Sequence, residues 1–301
     1  MSAFVEKLKL QSSLIFLAPL WIFVRITPLR LQFSSGRQWG RCLKSFKGKT
    51  HHTTSKNLEI CFPHLSKKKR NSLLHKTYKS LGMALMETLM SWWLPNKRLQ
   101  SLLTLHGKEH LDKALETQGV MLISPHFITL ELVGRLLTQH LEFAVMYRPQ
   151  KIKILDRIIF HYRKKHYADI IPRDDIRKMV KILKNKKIVW YAPDSDHGVK
   201  NSVFAPFFGI PTATVTGTSR IAKMANAKII PCFFYRKKDK PGYDLYFHPP
   251  CENFPSDDLF EDASRINQLL QTAILKSPEE YLWQYKRFKT RPAGETRFYR
   301  R

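Results

Sequence analysis

Short apolar runs of strand length, separated by segments of helical length, constrain the fold of this chain more than any other feature. They lie at residues 119–124, 142–147, 187–192 and 228–235. A continuous apolar run of this length is typical of a strand that is buried on both faces, as in a parallel sheet. Because such strands alternate here with helical segments, the sequence predicts an α/β fold with a largely parallel central sheet.

The segments outside these runs give further local predictions. Within residues 71–94 apolar positions recur at steps of three and four, which predicts an amphipathic helix, and Ser66 is suited to cap its N-terminus. Glu87 stands on a strongly apolar part of this helix, so we expect a core carboxylate paired with a basic group. Residues 51–54 are polar and 204–211 are rich in Pro and Gly; both predict loops.

Three polar residues come directly after apolar runs. His126 follows the first run, Arg148 the second and Asp194 the third. Active sites of parallel α/β sheets gather at the carboxyl ends of the strands, so we expect these side chains at one edge of the sheet. Asp196 lies in the same loop as Asp194. A metal at the two aspartates would need more oxygen ligands than the sequence offers, so neither a metal nor a cofactor is predicted.

His126 and Glu131 form the candidate catalytic pair. They stand five residues apart across a predicted strand-to-helix turn. If His126 lies in the loop, Glu131 in the first turns of the helix can reach back to one ring nitrogen, which leaves the other nitrogen to take a proton from a hydroxyl. That arrangement suits acyl transfer to an alcohol. The spacing alone is expected about once by chance, so a structural loop histidine is the alternative.

The charge of the chain restricts its partners. Lys and Arg total 52 against 24 acidic residues, a net charge of +28. Nucleic acid, an anionic membrane surface and a polyanionic substrate all fit this surplus. No zinc finger or RNA-binding aromatic motif is present, so a non-enzymatic nucleic-acid-binding protein is the remote alternative and no nucleic acid is expected as a partner. The four cysteines form no CxxC pair, which favours a reducing, cytoplasmic compartment.

The N-terminal segment carries an apolar run of eleven residues, 14–24, ended by Arg25. Spanning a bilayer takes about 20 apolar residues, so this run predicts an anchor that lies in or dips through one leaflet; a buried core helix is the alternative. No small-x-small cleavage site follows, which argues against a signal peptide. We therefore expect a membrane-anchor helix in residues 1–33 and a catalytic domain in residues 34–301.

Taken together, these residues resemble a known family. His-x-x-x-x-Glu, the strand-ending arginine, the acidic loop and Ile230-Pro231 are similar to the four blocks of glycerolipid acyltransferases. The fuller match is to the late acyltransferases of lipid A biosynthesis, the lauroyl and myristoyl transferases. The matching stretches are NLEICFPHLS, ISPHFITLELVGRLL, MYRP, IPRDDIRKMVKILK, WYAPDSDHGVKNSVFAPFFGIPTATVTG and YLWQYKRFKTRP.

The resemblance implies a mixed, largely parallel sheet with helices on both faces and an N-terminal hydrophobic helix, as in glycerol-3-phosphate acyltransferases. It implies acyl carrier protein as donor and, as acceptor, a hydroxyl on an acyl chain of a Kdo-bearing, phosphorylated glucosamine disaccharide. His126 and Glu131 would be the catalytic pair. Arg148, Arg173 and the loop with Asp194 and Asp196 would bind substrate. The enzyme would act at the bacterial inner membrane, with its catalytic domain facing the cytoplasm.

Two positions depart from the pattern of the family. Pro125 stands where a small polar residue often precedes the histidine, and His197 stands where a tyrosine usually precedes the glycine of the acidic loop. Neither removes the catalytic pair, but both alter the shape of the site. A related acyltransferase acting on a lysophospholipid or another glycolipid is the alternative function.

Overall fold

The structure, a computed structural model, describes residues 18–299. Within this range seven strands form one sheet in the order β1-β9-β8-β2-β5-β3-β4, and β6 and β7 form a separate hairpin. The strands are β1 (Leu103–His106), β2 (Val120–Ile123), β3 (Phe143–Tyr147), β4 (Asp169–Pro172), β5 (Ile188–Tyr191), β6 (Ser202–Phe207), β7 (Ile210–Val215), β8 (Lys228–Arg236) and β9 (Tyr243–Phe247).

Helices connect these strands and precede the sheet. They are α1 (Ala18–Ile26), α2 (Leu29–Ser45), α3 (Lys49–Cys61), α4 (Lys67–Trp93), α5 (Asn96–Leu99), α6 (Lys108–Thr117), α7 (Leu130–Leu137), α8 (Lys153–His166), α9 (Ile176–Lys184), α10 (Gly217–Ala225) and α11 (Leu259–Lys276). The oxygen of Ser66 accepts a hydrogen bond from the amide of Lys69, which confirms the predicted cap of α4. Residues 51–54, predicted as a loop, lie inside α3, where threonine hydroxyls bond back to the preceding turn.

The centre of the sheet is parallel, as predicted. Strand β2 lies between β5 and β8, pairs with both in parallel, and has all four residues buried. Its uninterrupted apolar sequence follows from this position, since helices cover both faces of a central parallel strand. Strand β9 pairs antiparallel with β8, so the sheet is mixed but largely parallel.

Helices lie on both faces of the sheet because the crossovers run in two directions. The chain moves from β2 to β3 and β4 toward one edge, then returns through β5 to β8. For right-handed crossovers, this reversal places α7 and α8 on one face and α9 and α10 on the other. Helix α7 accordingly packs against α4, whereas α9 packs against α10.

Glycines allow α2 and α4 to cross at very short distance. A Cβ atom added at Gly40 or Gly82 would overlap the backbone of the opposite helix. The close backbone approach buries the α2 face that carries Phe33 against α4. Helix α2 also runs through the predicted boundary between residues 33 and 34, so no break in secondary structure marks that boundary. The division into an anchor and a catalytic domain stays a prediction.

The N-terminal hydrophobic helix is only partly within the described range. Residues 1–17 of the predicted anchor, with the first four residues of the apolar run, lie outside it, and the rest forms α1 and the start of α2. Val24 of α1 is buried, and the Arg25 guanidinium donates to the carbonyl of Trp93 at 3.2 Å, so α1 packs against the end of α4. Across residues 18–299, every helix is too short or too polar to cross a bilayer.

Glu87 is the predicted core carboxylate, and its partner is Arg236. The two groups form a bidentate ion pair at 2.6 and 2.8 Å, and the hydroxyl of Tyr243 donates to the same carboxylate at 2.6 Å. We expect Glu87→Gln to lower the free energy of unfolding by about 3 kcal/mol, because Arg236 would keep a buried charge without its counterion. Urea unfolding of the full chain measures this change.

The matched control for this prediction is Glu59→Gln. Glu59 pairs with Lys56 on the surface, with 57% of its side chain exposed. Removing an exposed pair is expected to change the free energy of unfolding by less than about 1 kcal/mol. Equal effects of the two substitutions would contradict the structural role of the Glu87–Arg236 pair.

Candidate active site

His126 and Asp194 form the central contact of the site. The Nδ1 atom of His126 lies 2.5 Å from Oδ1 of Asp194, and the backbone amide of His126 donates to Oδ2 at 2.9 Å. The two residues follow β2 and β5, which are adjacent parallel strands, so both loops leave the sheet at its carboxyl edge. Asp194 is buried, with 1% of its side chain exposed, whereas 38% of the His126 side chain faces solvent. One carboxylate therefore fixes both the backbone and the ring of His126.

The electrostatics of this pair favour a base at the exposed ring nitrogen. Burial alone would lower the pKa of His126, but the charge of Asp194 and its hydrogen bond outweigh burial and raise that pKa above 6.5. Burial would raise the pKa of Asp194, but the charge of His126 and the two hydrogen bonds hold it below its usual range. With Asp194 ionised, we assign the proton to Nδ1, which leaves the Nε2 lone pair free to accept a proton.

The segment after α11 holds the histidine loop in place. The amide of Ile128 donates to the carbonyl of Glu280 at 2.8 Å, and the amide of Leu282 donates to the carbonyl of His126 at 3.0 Å. Phe127 and Tyr281 form an isolated antiparallel bridge between these two bonds. Residues 126–128 are thereby fixed by main-chain hydrogen bonds on both sides, which orients the ring without help from a ligand.

Glu131 does not contact His126, contrary to the prediction. It pairs with Arg163 of α8 through three hydrogen bonds, the shortest at 2.6 Å from Nη2 to Oε2. Glu131 lies in the first turn of α7, and its side chain is directed across to α8 instead of back to the loop. The carboxylate beside the ring is Asp194. The positive charge of Arg163, which pairs with Glu131, opposes the raised pKa of His126.

Asp196 was predicted to bind substrate, but both of its oxygens already accept hydrogen bonds from the chain. Oδ1 accepts from the amide of Gly198 at 2.9 Å and the hydroxyl of Thr290 at 2.8 Å, and Oδ2 accepts from the amide of Thr290 at 2.7 Å. The backbone of Asp196 also bonds twice to the hydroxyl of Tyr285. Asp196 thus ties the acidic loop to the segment after α11.

Arg148 lies at the carboxyl edge of the sheet, as predicted, and Arg173 lies beside the end of β3. Arg148 is exposed directly after β3, and the amide of Arg173 donates to the carbonyl of Tyr147, the last residue of β3. The Arg173 guanidinium lies 3.5 Å from Nδ1 of His197 and donates to Asp174 at 3.1 Å. Burial and these two arginines lower the pKa of His197, which disfavours a protonated ring beside them.

No cluster of three or more His, Cys, Asp or Glu side chains that could hold a metal ion occurs between residues 18 and 299. The residues brought together are instead an oriented histidine, a buried carboxylate and two arginines. Such a set can remove a proton from a hydroxyl and attract an anionic group beside it. In the described part of the chain, no serine or cysteine side chain hydrogen-bonds to His126, so direct transfer to a bound hydroxyl fits the geometry better than a covalent intermediate.

Comparison with known proteins places the chain among enzymes of one pathway. Residues 4–290 match the family model described as bacterial lipid A biosynthesis acyltransferase. The lipid A biosynthesis palmitoleoyltransferase of Escherichia coli is 34% identical, covering 94% of this chain and 92% of that protein. The lauroyltransferase of the same organism is 35% identical, covering 91% and 90%. A Haemophilus influenzae lipid A biosynthesis acyltransferase is 37% identical, covering 80% and 78%. The chain is therefore a member of the bacterial lipid A biosynthesis acyltransferase family.

Proposed function

We propose that this acyltransferase moves a fatty acyl chain from acyl carrier protein to a hydroxyl on an acyl chain of the Kdo-bearing lipid A precursor. The observation that carries the proposal is the His126–Asp194 pair, at 2.5 Å, in a chain of the lipid A acyltransferase family. A histidine whose exposed nitrogen is free and whose other nitrogen is held by a buried carboxylate is the arrangement that acyl transfer to an alcohol requires.

The reaction proceeds in two proton transfers. Nε2 of His126 takes the proton of the acceptor hydroxyl as its oxygen attacks the thioester carbonyl carbon. The tetrahedral intermediate then collapses, the carbon–sulfur bond breaks, and the imidazolium returns the proton to the leaving thiolate. Asp194 stabilises the imidazolium between these steps, since the carboxylate stays ionised in its buried position.

Positive charge supports the proposed substrates and location. The chain carries +28, and the acceptor has phosphates and sugar carboxylates while carrier proteins are acidic. Arg148 and Arg173 at the carboxyl edge suit an anionic group of a bound substrate, because guanidinium binds phosphate and carboxylate in a bidentate manner. An anionic inner leaflet would attract the same basic surface, which fits action at the cytoplasmic face of the inner membrane.

Donor and acceptor can be tested together in detergent. Purified full-length protein is offered a panel of acyl carrier proteins and acyl-CoA as donors, each with the Kdo-bearing precursor or a lysophospholipid as acceptor. We expect ester formation from the carrier protein to the Kdo-bearing precursor. Faster transfer to the lysophospholipid, or from acyl-CoA, would show that the substrates differ from those proposed while the family assignment is unaffected.

The pH dependence of kcat follows from the raised pKa of His126. The neutral ring is the base, so the rate falls as the pH decreases through this pKa and the inflection is expected above 6.5. Rates of acyl transfer measured from pH 5 to 9 under saturating substrates give the position of this inflection. An inflection well below 6.5 would mean that Asp194 does not act on the ring in the complex with substrate.

A further inference from the structure

A strongly basic cavity lies apart from the contacts of His126. It has a volume of about 400 Å³ and is formed by α2, α4 and the turn that joins β8 to β9. Its cationic side chains are Arg30, Arg37, Arg236, Lys237, Lys238 and Lys240, and Asp239 is the single acid among the lining residues. A volume of this size can hold a small phosphorylated group with its first sugar or glycerol unit.

The charge of the cavity is largely uncompensated by the protein. Arg236 is neutralised by Glu87, and Lys237 lies 3.7 Å from Asp244. Within residues 18–299, none of Arg30, Arg37 and Lys238 forms an ion pair. Since cations gathered around one concave surface repel each other, this arrangement is costly unless an anion is bound there.

The two arginines are placed for joint binding of one anion. Arg30 and Arg37 are seven residues apart on α2, which is two helical turns, so they lie on the same face of the helix. Phe33 lies between them and also lines the cavity. A phosphate ester on an apolar or sugar body would match two guanidinium groups flanking an apolar ring.

The cavity lies beyond the same edge of the sheet as His126, the carboxyl edge of β2 and β8. Ile123 at the end of β2 pairs with Pro231 of β8, and β8 continues five residues further to Arg236. That extension corresponds to about 16 Å along the strand. The amide of Arg236 donates to the carboxylate of Glu280, whose carbonyl accepts from the histidine loop, so the cavity and the catalytic loop share one support.

We infer that this cavity binds a phosphate ester of a lipid, at a site distinct from the arginines near His197. If the proposed function holds, on which this assignment of the ligand rests, the ester is a phosphate of the acceptor disaccharide remote from the acylated hydroxyl. A phosphate of a neighbouring membrane phospholipid has the same chemistry and is the second source. Binding there would orient the acceptor while His126 acts on a distant hydroxyl.

The test compares a triple variant, Arg30→Gln, Arg37→Gln and Lys238→Gln, with a control in which Lys181, Lys184 and Lys187 are changed to Gln. The control lysines are exposed around the end of α9, and their substitution removes three positive charges, as in the triple variant. Calorimetry in detergent measures binding of the deacylated bisphosphorylated glucosamine disaccharide, its dephosphorylated form, glycerophosphoglycerol and inorganic phosphate. Thermal unfolding verifies that each variant is folded.

We expect the phosphorylated disaccharide to bind the parent protein and to lose about tenfold or more in affinity in the triple variant, with a change within about twofold in the control. The parent protein should bind the dephosphorylated disaccharide no more tightly than the triple variant binds the phosphorylated one. If glycerophosphoglycerol binds as well and competes, the source is a membrane phospholipid and the site is still a phosphate-ester site. Equal binding to both variants, or binding of inorganic phosphate alone, overturns the inference.

Kinetics separate this inference from the proposed function. In acyl transfer to the Kdo-bearing precursor, the triple variant should raise KM for the acceptor and leave kcat within about twofold. If the parent protein acylates no lipid A precursor but the triple variant loses binding, the phosphate-ester site is supported and the proposed function is refuted. If the parent protein does acylate the precursor and the triple variant leaves both KM and binding unchanged, only the phosphate-ester site is refuted.

Discussion

His126→Ala is expected to lower kcat for acyl transfer by about a thousandfold, with KM for the acceptor nearly unchanged. General-base catalysis by a positioned side chain contributes about 10²- to 10⁴-fold, and His126 is the histidine that a buried carboxylate orients at the sheet edge. The ring is 38% exposed and makes its side-chain hydrogen bond with Asp194, so its removal should leave the core packing intact. Single-turnover transfer from acyl carrier protein measures the chemical step.

The control for this substitution is His140→Ala. His140 is exposed after α7 at the opposite edge from the ends of β2 and β5. It should retain kcat within about twofold, since a surface substitution away from the site changes little. Full activity of a folded His126→Ala protein would exclude His126 as the base, whatever the substrates are.

Asp194→Asn is expected to lower kcat by about a thousandfold and to move the pH inflection to lower pH. An amide keeps the shape of the side chain but cannot stabilise the imidazolium, and it can hold the ring in the wrong tautomer. Asp194 raises the pKa of His126 chiefly through its charge, so removing that charge lowers this pKa and sets the sign of the shift. Titration of His126 by NMR, beside the rate profile, measures the shift without relying on activity.

Glu131→Gln distinguishes the observed contacts from the predicted ones. In the structure Glu131 neutralises Arg163, and an unpaired Arg163 would disfavour a positive charge on His126. The double variant Glu131→Gln, Arg163→Gln should therefore recover part of the activity that Glu131→Gln loses. If Glu131 instead bonded directly to His126 during catalysis, removing Arg163 would give no recovery, and Asp194→Asn would be the milder substitution.

The sequence predicted the parallel centre of the sheet because its strands have a composition that other elements lack. Val120–Ile123 is apolar at every position, and this requires burial on both faces. The hairpin of β6 and β7 was predicted as a loop because Pro206, Pro211 and Gly209 interrupt it. The two prolines face each other across the pair, and its two-residue turn has positive φ at Phe208 and Gly209, where glycine is favoured. Pro and Gly mark the turn here, but they do not exclude paired strands on either side of it.

The position of His126 at the edge of the sheet was predictable from sequence, but its carboxylate partner was not. Glu131 is close to His126 along the chain, which favoured it when only spacing was known. Asp194 is 68 residues away and comes beside His126 because β2 and β5 are neighbours in the sheet. Strand order is not encoded in any local pattern, so the pairing could not be derived. The available signal was that both residues follow a predicted parallel strand.

The hydrogen bonds from residues 280–282 to the histidine loop form late in the synthesis of the protein chain. These residues are translated about 150 positions after His126, which at ribosomal rates of about 5 to 20 residues per second is a delay of roughly 8 to 30 s. During that interval the loop has no antiparallel partner, and Asp196 has no Thr290. A nascent chain that already contains the histidine and its carboxylate therefore cannot yet hold them as a rigid site.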